Sequence, residues 1–174
     1  MPAIRVWVSC ERVAVFASSF KELGIKTELD LRIGGEVVEV FYKDENINFY
    51  NIPMNATYCL QYNPKEIVRA FEILGDESNY PIAIHCSIGT DRTGMMAFVI
   101  NGLLGASYEQ LNCEYMFSNL GNIGRGRNTW DLFLYRNNIN KCAGDTFAEK
   151  TYNYLLKIGV KAEHIDTVIR MMTK

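Results

Sequence analysis

Short apolar runs alternate with helix-like patterns along the first half of the chain. The segment "PIAIHC" at 81–86 is short, apolar and β-branched, which is typical of a strand buried on both faces. The segment "IKTELDLR" at 25–32 predicts another strand, and Gly24 before it ends a helix that begins after Ser9. Residues 34–54 contain two strand-like runs joined by "KDEN", which indicates a hairpin or an added edge of the sheet.

The apolar spacing of later segments predicts helices instead. Pro64 and Gly75 bound one of them, and the segment "TGMMAFVINGLL" predicts a buried helix that Gly105 ends. Capping-box patterns at Ser107 and Thr146 indicate two further helix starts. The helices are expected over 64–74, 93–104, 108–119, 147–157 and 162–172, and surface loops over 120–130 and 135–145.

This order of elements predicts one α/β domain over residues 1–174. A chain of 174 residues is long enough for one sizeable core, and division would leave pieces below the usual domain size. Strands alternate with helices early in the chain, and helices then follow in series. We therefore expect a small central sheet flanked by helices, with a helical C-terminal half.

Charge and composition exclude several classes of partner. The net charge of −2 gives no general attraction to nucleic acid or to an anionic membrane, so a bound anion requires a local site. No apolar run approaches the roughly 20 residues of a membrane span, and the first residues lack the pattern of a signal peptide. We expect a cytoplasmic protein without nucleic-acid partners and without stable membrane insertion.

The cysteines and histidines give no sign of a disulfide framework or of a metal centre. The five cysteines form an odd set without a Cys-x-x-Cys pair, and the two histidines lie far apart in the sequence. We therefore expect reduced thiols, no metal and no cofactor. Apart from Cys86, the cysteines are predicted to be small buried residues, namely Cys10, Cys59, Cys113 and Cys142.

The stretch "HCSIGTDRTG" at 85–94 joins the predicted buried strand to the predicted buried helix. If the segment from Cys86 to Arg92 curls at the helix N-terminus, its backbone N–H groups point inward and bind a tetrahedral dianion such as phosphate. Gly89 gives the freedom for a tight curl, and Arg92 clamps two phosphate oxygens in a planar fork. The predicted phosphate ligands are Ser87, Ile88, Gly89, Thr90, Asp91 and Arg92.

Cys86 is expected at the base of this cradle, where the amides and the helix dipole stabilise its thiolate as a nucleophile. In-line attack on phosphorus expels an alcohol or a phenol and leaves a cysteinyl-phosphate, which water then cleaves. Asp91 is the first choice for the acid that protonates the leaving oxygen and then serves as the base for water. Thr93 is expected to hydrogen-bond the sulfur, and His85 to orient the loop.

Other acids are alternatives for the proton transfer. The segment "NFYNIPMNATY" at 48–58, a candidate lid across the site, contains no acid. This absence favours Asp91, but if Asp91 instead braces Arg92 or the loop, Asp131 or Asp30 takes its place. The spacing of Asp30 and Arg32 at the end of a strand favours a structural polar pair over a site.

These residues resemble the phosphate-binding loop of the cysteine-dependent protein tyrosine phosphatase superfamily, His-Cys-x5-Arg-Ser/Thr. The loop is most like the HCxxGKDRTG form of bacterial and fungal tyrosine phosphatases that also act on phosphoinositides. Flanking segments are similar to three further family elements, a helix-strand unit ending in Asp-Leu-Arg, an acid-Tyr-x-x-Ser-Asn helix and a late Tyr-Leu-x-x-x-Gly segment; here they read "FKELGIKTELDLRIGGE", "EYMFSN" and "YNYLLKIGV".

The resemblance covers roughly positions 20–172 and implies a tyrosine-phosphatase-like fold. It implies that Cys86 is the nucleophile, that Arg92 and the loop amides bind phosphate, and that Asp91 is a general acid placed within the loop.

Two departures from the family pattern bear on the expected substrate. Thr90 stands where the family usually has Lys, which removes a cation suited to the extra phosphates of a phosphoinositide and favours phosphotyrosine in proteins. The Arg-Asp-x-Gly-Gly region usual upstream is missing, so we expect a divergent member or one that lacks an N-terminal element. A phosphoinositide or inositol phosphate is the alternative substrate, with Arg125 and Arg127 either gripping a second anionic group or solvated. A phosphate-binding module without turnover is the third interpretation.

Overall fold

Parallel strands from distant parts of the chain form the central sheet. The computed structural model describes residues 3–5, 21–34, 46–55, 59–119 and 129–173. The described strands are β1 (Ala3–Arg5), β2 (Thr27–Asp30), β3 (Asn48–Asn51) and β4 (Ile82–His85). They are ordered β1-β4-β2-β3, and every neighbouring pair is parallel. The carboxyl ends of the strands therefore lie along one edge of the sheet.

Both faces of the two inner strands are covered, because every residue of β2 and β4 is buried. Side chains alternate between the faces of a sheet, and parallel partners share a face. The register pairs Asp30 with His85 and Leu29 with Ile84. One face of these strands is therefore apolar apart from Thr27, whereas the other carries buried ionisable residues at the carboxyl edge.

Helices surround the sheet and make up most of the described C-terminal half. The described helices are α1 (Cys59–Tyr62), α2 (Pro64–Leu74), α3 (Arg92–Leu103), α4 (Tyr108–Met116), α5 (Trp130–Ile139), α6 (Phe147–Ile158) and α7 (Ala162–Met172), with 3₁₀ turns over Glu77–Asn79 and Phe117–Asn119.

The central helix is α3, which directly follows the loop after β4. Ten of its twelve residues are buried, so it is covered on all sides and not on one stripe. It packs against α1, α4 and α6, while α2 packs against α7. This packing fixes the N-terminus of α3 beside the carboxyl edge of the sheet.

Local signals in the sequence place most of these elements correctly. The predicted capping boxes are present at Ser107, which accepts from the Gln110 amide, and at Thr146, which accepts from the Glu149 amide. The predicted helix before β2 lies mostly outside the described residues, but Gly24 ends it with a φ of 63°. The expected α/β fold with a helical C-terminal half is confirmed.

The strand predictions are confirmed in part. β2 and β4 lie within the predicted segments. Of the two runs expected over 34–54, the first lies outside the described residues, whereas the second forms β3 and pairs in parallel with β2 at the edge of the sheet. The short strand β1 was not predicted.

The prediction of surface loops over 120–130 and 135–145 is wrong for part of both segments, because α5 covers Trp130–Ile139. The asparagines of this segment favour a loop locally, but Leu132, Tyr135 and Ile139 lie on one face of the helix and are buried. Burial of this face against the rest of the domain outweighs the local preference.

The prediction that the remaining cysteines are buried is wrong for Cys113, which is exposed on α4, and Cys142 is half-buried. Cys10 and the side chain of Cys59 lie outside the described residues. Among the described helices, none is both long and apolar enough to cross a membrane.

Gly75 allows a close approach between the end of α2 and the start of α7. A Cβ at this position would lie 2.6 Å from the Cβ and 2.8 Å from the Cα of His164. Because one of these atoms is backbone, the helices would have to separate. We expect Gly75→Ala to lower the free energy of unfolding by about 1–3 kcal/mol in chemical denaturation.

Gly34→Ala is the matched control for this substitution. A Cβ at Gly34 meets nothing within 4 Å, so its stability should remain within about 0.5 kcal/mol of wild type. Equal losses for the two variants would contradict the close approach at Gly75.

Candidate functional site

A tight loop connects the end of β4 to the start of α3. Cys86 follows β4 directly and is 1% exposed, and Arg92 is the first residue of α3. Gly89 between them has a φ of 74°, a left-handed conformation that residues with a side chain adopt with difficulty. The sequence-predicted strand, loop and helix are thus present, and glycine stands where the backbone requires it.

The side chain of Arg92 holds the two ends of this loop together. Its Nη2 donates to Ser87 Oγ over 3.0 Å, and its Nη1 donates to the backbone carbonyl of Leu31 over 3.4 Å. The first bond spans the loop, and the second reaches the residue after β2. The loop is therefore curled, and the guanidinium lies buried beside it.

His85 lies beneath the loop, and both of its ring nitrogens lie close to polar groups. Its Nε2 is 2.9 Å from Glu28 Oε1, and its Nδ1 is 3.3 Å from the backbone oxygen of Cys86. Asp30 Oδ1 lies 3.8 Å from Nδ1. The Nδ1 contact is with the backbone at the start of the loop, and a role of His85 in orienting the loop stays a prediction.

Asp30 and Arg32 form the structural pair that their spacing favours. Arg32 Nε lies 3.0 Å from both carboxylate oxygens, Nη2 donates to Oδ2 over 2.8 Å, and the Arg32 amide donates to Oδ1 over 2.9 Å. Asp30 is fully buried. A carboxylate committed to so many donors is poorly suited to exchange protons with a substrate.

Asp91 occupies the N-cap position of α3, but its side chain does not cap the helix. Its backbone carbonyl instead accepts from the Met95 amide over 2.8 Å, which starts the helical ladder. Asp91, Ser87 and Ile88 are half-buried, whereas the other loop members, Gly89 and Thr90, are buried. Asp91 is thus a partly accessible residue that directly precedes the buried Arg92.

Asp131, the other alternative acid, binds a different group. Its Oδ2 accepts from the hydroxyl of Tyr115 over 3.0 Å, and Tyr115 is 1% exposed in the core. This bond ties α5 to α4 and gives Asp131 a structural role. Neighbouring Glu114 lines a surface cleft with Asn101 and Leu104, at the end of α3 opposite the loop.

The predicted hydrogen bond between Thr93 and the Cys86 sulfur is not formed in this structure. Thr93 Oγ1 is buried and has no hydrogen-bond partner among the described residues. Placement of Thr93 in the first turn of α3 brings it to the site, but its hydroxyl does not reach a sulfur acceptor here.

The segment 48–58, considered as a lid, is built into the sheet over its first part. Residues 48–51 are β3, and Asn51 Nδ2 donates to the backbone oxygens of Asp30 and Arg32 over 3.2 and 3.0 Å. Ile52 and Met54 are buried. The lid hypothesis is therefore wrong for the described part, because these residues are held by sheet and core contacts.

Two arginines were expected either to grip a second anionic group of the substrate or to be solvated. Arg125 and Arg127 lie outside the described residues. Glu28 was not singled out by sequence reasoning, although its alternation with Asp30 in "TELD" places two acids on one face of a buried strand. Among the residues that the structure describes, no group of three or more His, Cys, Asp and Glu side chains is arranged to hold a metal ion.

Comparison with known proteins gives one family and several similar solved structures, two of which are described here. A sequence model described as "tyrosine phosphatase family" matches residues 16–174. The core catalytic domain of the PP-IP phosphatase SIW14 from S. cerevisiae, in complex with citrate, matches with a TM-score of 0.56 and 23% identity, covering 78% of this chain and 85% of that chain. A structure of the Siw14 catalytic core matches with a TM-score of 0.49 and 22% identity, covering 74% of each chain. No curated protein matches the sequence.

Proposed function

The chain belongs to the tyrosine phosphatase family, and from this we propose that it hydrolyses phosphate monoesters through a covalent phosphocysteine on Cys86. The observation that carries the proposal is the curled loop after β4, closed by the bond of Arg92 to Ser87. The seven consecutive residues 86–92 of this loop supply a thiol, a permanent cation and a carboxylate.

Phosphate binding is assigned to the backbone amides of 87–92 and to the Arg92 guanidinium. A curled loop at a helix N-terminus gathers N–H donors, and the helix dipole adds positive potential at the same place. Arg92 adds a planar pair of donors that matches two phosphate oxygens. In the free protein one of its terminal nitrogens donates to Ser87, so Ser87 holds the guanidinium near the position where phosphate binds.

The first chemical step transfers the phosphoryl group to the protein. The Cys86 thiolate attacks phosphorus, an S–P bond forms, and the bond between phosphorus and the leaving oxygen breaks. Asp91 gives its proton to that oxygen, so the product leaves as a neutral alcohol or phenol. Asp91 suits this role because the residue is half-buried and its side chain does not cap α3.

The second step returns the protein to its initial state. Asp91, now ionised, takes a proton from water, and the oxygen of that water attacks phosphorus. The P–S bond breaks, the sulfur leaves as a thiolate, and inorganic phosphate dissociates. The amides and Arg92 stabilise the equatorial charge in both steps, so one site serves both transition states.

Phosphotyrosine in proteins is the leading substrate. Thr90 favours this substrate, because a hydroxyl stands where the family loop carries Lys. The loop therefore has no extra cation for further phosphates. Thr90 is 2% exposed, so it contributes little surface to a polyanionic ligand. The working location of the protein is proposed to be the cytoplasm, where phosphotyrosine proteins occur and thiols remain reduced.

An inositol phosphate is the second candidate substrate, and a specific comparison favours it. The similar structure with a TM-score of 0.56 is a PP-IP phosphatase. The same loop chemistry would act on such a substrate, but the extra phosphates would need cations outside the loop. A protein that binds phosphate without turnover is the third candidate, and the Cys86, Asp91 and Arg92 set argues against it.

We expect Cys86→Ser to lower turnover at least about 10³-fold on an aryl phosphate, on a phosphotyrosine peptide and on an inositol polyphosphate, because a hydroxyl lacks the nucleophilicity of the thiolate. Phosphate release is measured with chelator and reductant present. Cys113→Ser, which changes an exposed thiol, is the control and should retain wild-type turnover. If the wild-type protein shows no cysteine-dependent turnover on any of the three substrates, the proposal that it is an enzyme is wrong.

We expect Asp91→Asn to lower turnover about 10²- to 10⁴-fold on aryl esters with poor leaving groups and much less on those with good leaving groups. The physical reason is that a leaving oxygen of low basicity departs without a proton. The measurement is the dependence of turnover on the leaving-group pKa across a series of aryl phosphates. A loss of the same size across the series would instead assign Asp91 a binding or structural role.

We expect Thr90→Lys to raise kcat/KM on an inositol polyphosphate about tenfold relative to kcat/KM on a phosphotyrosine peptide, because an added cation attracts extra phosphates by about 1–2 kcal/mol. Thr90→Met is the control for length without charge and should leave the ratio unchanged. A ratio that Lys and Met change equally would show that charge at this position does not select the substrate.

A further inference from the structure

Glu28 is a buried carboxylate in β2, and every other residue of this strand is buried as well. It lies in β2, its exposure is 0%, and its Oε1 is 2.9 Å from His85 Nε2. Burial of a carboxylate is costly unless it is paired, and an apolar residue would fill such a strand position at less cost. The partner of Glu28 is therefore the informative feature, because His85 immediately precedes Cys86 in the chain.

The contact between His85 and Cys86 constrains where the imidazole carries its protons. Nδ1 lies 3.3 Å from the backbone oxygen of Cys86, and a carbonyl oxygen only accepts hydrogen bonds. The contact is favourable when Nδ1 carries a hydrogen. A neutral ring protonated only at Nε2 would instead point a nitrogen lone pair at the oxygen.

Two protonation states of the His85–Glu28 pair keep a hydrogen on Nδ1, and both contain the same number of protons. Either His85 is an imidazolium that donates from Nε2 to a Glu28 carboxylate, or a protonated Glu28 donates to a bare Nε2. In both states one proton lies between Nε2 and Oε1, and Nδ1 keeps its own. A neutral histidine beside an ionised Glu28 would have to give up one of these hydrogen bonds.

We propose that Glu28 is a positioning residue for the nucleophile: by sharing a proton with Nε2 of His85, it keeps Nδ1 protonated and bound to the Cys86 backbone. The carbonyl of Cys86 is thereby fixed where the strand passes into the loop. The role in catalysis rests on the proposed function of Cys86, whereas the protonation of His85 does not.

Asp30, another carboxylate near the His85 ring, acts in the same direction as Glu28. Asp30 Oδ1 lies 3.8 Å from Nδ1, which also favours a proton there, but both oxygens of Asp30 bind Arg32. Arg92, across the loop, donates to Ser87 and to Leu31. Among the described groups, Glu28 is therefore the carboxylate whose hydrogen bond reaches the His85 ring at Nε2.

The protonation of His85 is tested directly by nitrogen NMR of ¹⁵N-histidine-labelled protein. The chain has two histidines, so the spectrum of His164→Gln assigns both rings. Near neutral pH we expect the Nδ1 of His85 to carry a hydrogen in wild type and in Glu28→Gln, whose amide donates to Nε2. A neutral ring protonated at Nε2 alone in wild type would overturn the proposal, whether or not the protein is a phosphatase.

The effect on the reaction is tested with Glu28→Met and Glu28→Gln on an aryl phosphate. We expect Glu28→Met to lower kcat about 10- to 100-fold with KM within about threefold, because loop geometry and not affinity is lost. Glu28→Gln should recover most of the activity, since its amide also holds Nε2. A Glu28→Met enzyme with wild-type kcat, or a Glu28→Gln enzyme as impaired as Glu28→Met, would contradict the proposal.

Two controls separate positioning from a general loss of stability. Thr27→Val removes a buried polar group from the same strand but on its other face, and should leave kcat unchanged. In a double-mutant cycle, Glu28→Met should lower kcat by less than about threefold when His85 is already replaced by Asn, because Glu28 then no longer acts through His85. A cost as large as in wild type would show that Glu28 does not act through His85. If Glu28→Met does not fold, Glu28→Gln and the NMR of the wild type decide.

Discussion

The guanidinium of Arg92 is the constraint on which the candidate site depends. It is a permanent charge buried at the first residue of α3, so it requires acceptors on the groups around it. Ser87 supplies one from the other end of the loop, and the Leu31 carbonyl supplies one from the end of β2. These two bonds curl the loop and fix it to the sheet. In the proposed mechanism, the bound phosphate adds negative charge beside this guanidinium.

Beneath the loop, one face of the sheet is ionic where the other is apolar. His85 contacts Glu28, and Asp30 binds Arg32, all of them buried. A buried pair such as Asp30 with Arg32 adds little net stability, but removal of one partner leaves an uncompensated buried charge at a cost of about 3–5 kcal/mol. The arrangement under Cys86 is thus held against local rearrangement. The ionic layer lies at the carboxyl edge of the sheet, where the loop needs a rigid base.

The chemical groups of the proposed reaction come from a single loop. Asp91 is next to Arg92 and does not cap its helix, so the acid does not have to be delivered by a moving segment. Residues 48–54, a candidate lid from the sequence, instead belong to the sheet edge and the core. We propose that Thr90 and the surroundings of the loop together select the ester, whereas Cys86, Asp91 and Arg92 cleave it.

The sequence by itself determined the parts of this protein that depend on neighbours in the chain. The strand, loop and helix around Cys86, the left-handed Gly89 and the capping boxes all follow from contacts within a few residues. Only the tertiary structure decided that α5 is a helix, since burial of its apolar face outweighs its asparagines. Likewise, Glu28 and His85 are 57 positions apart, and strand register alone brings them together. Pairing across a sheet depends on how distant strands align, which local sequence patterns do not encode.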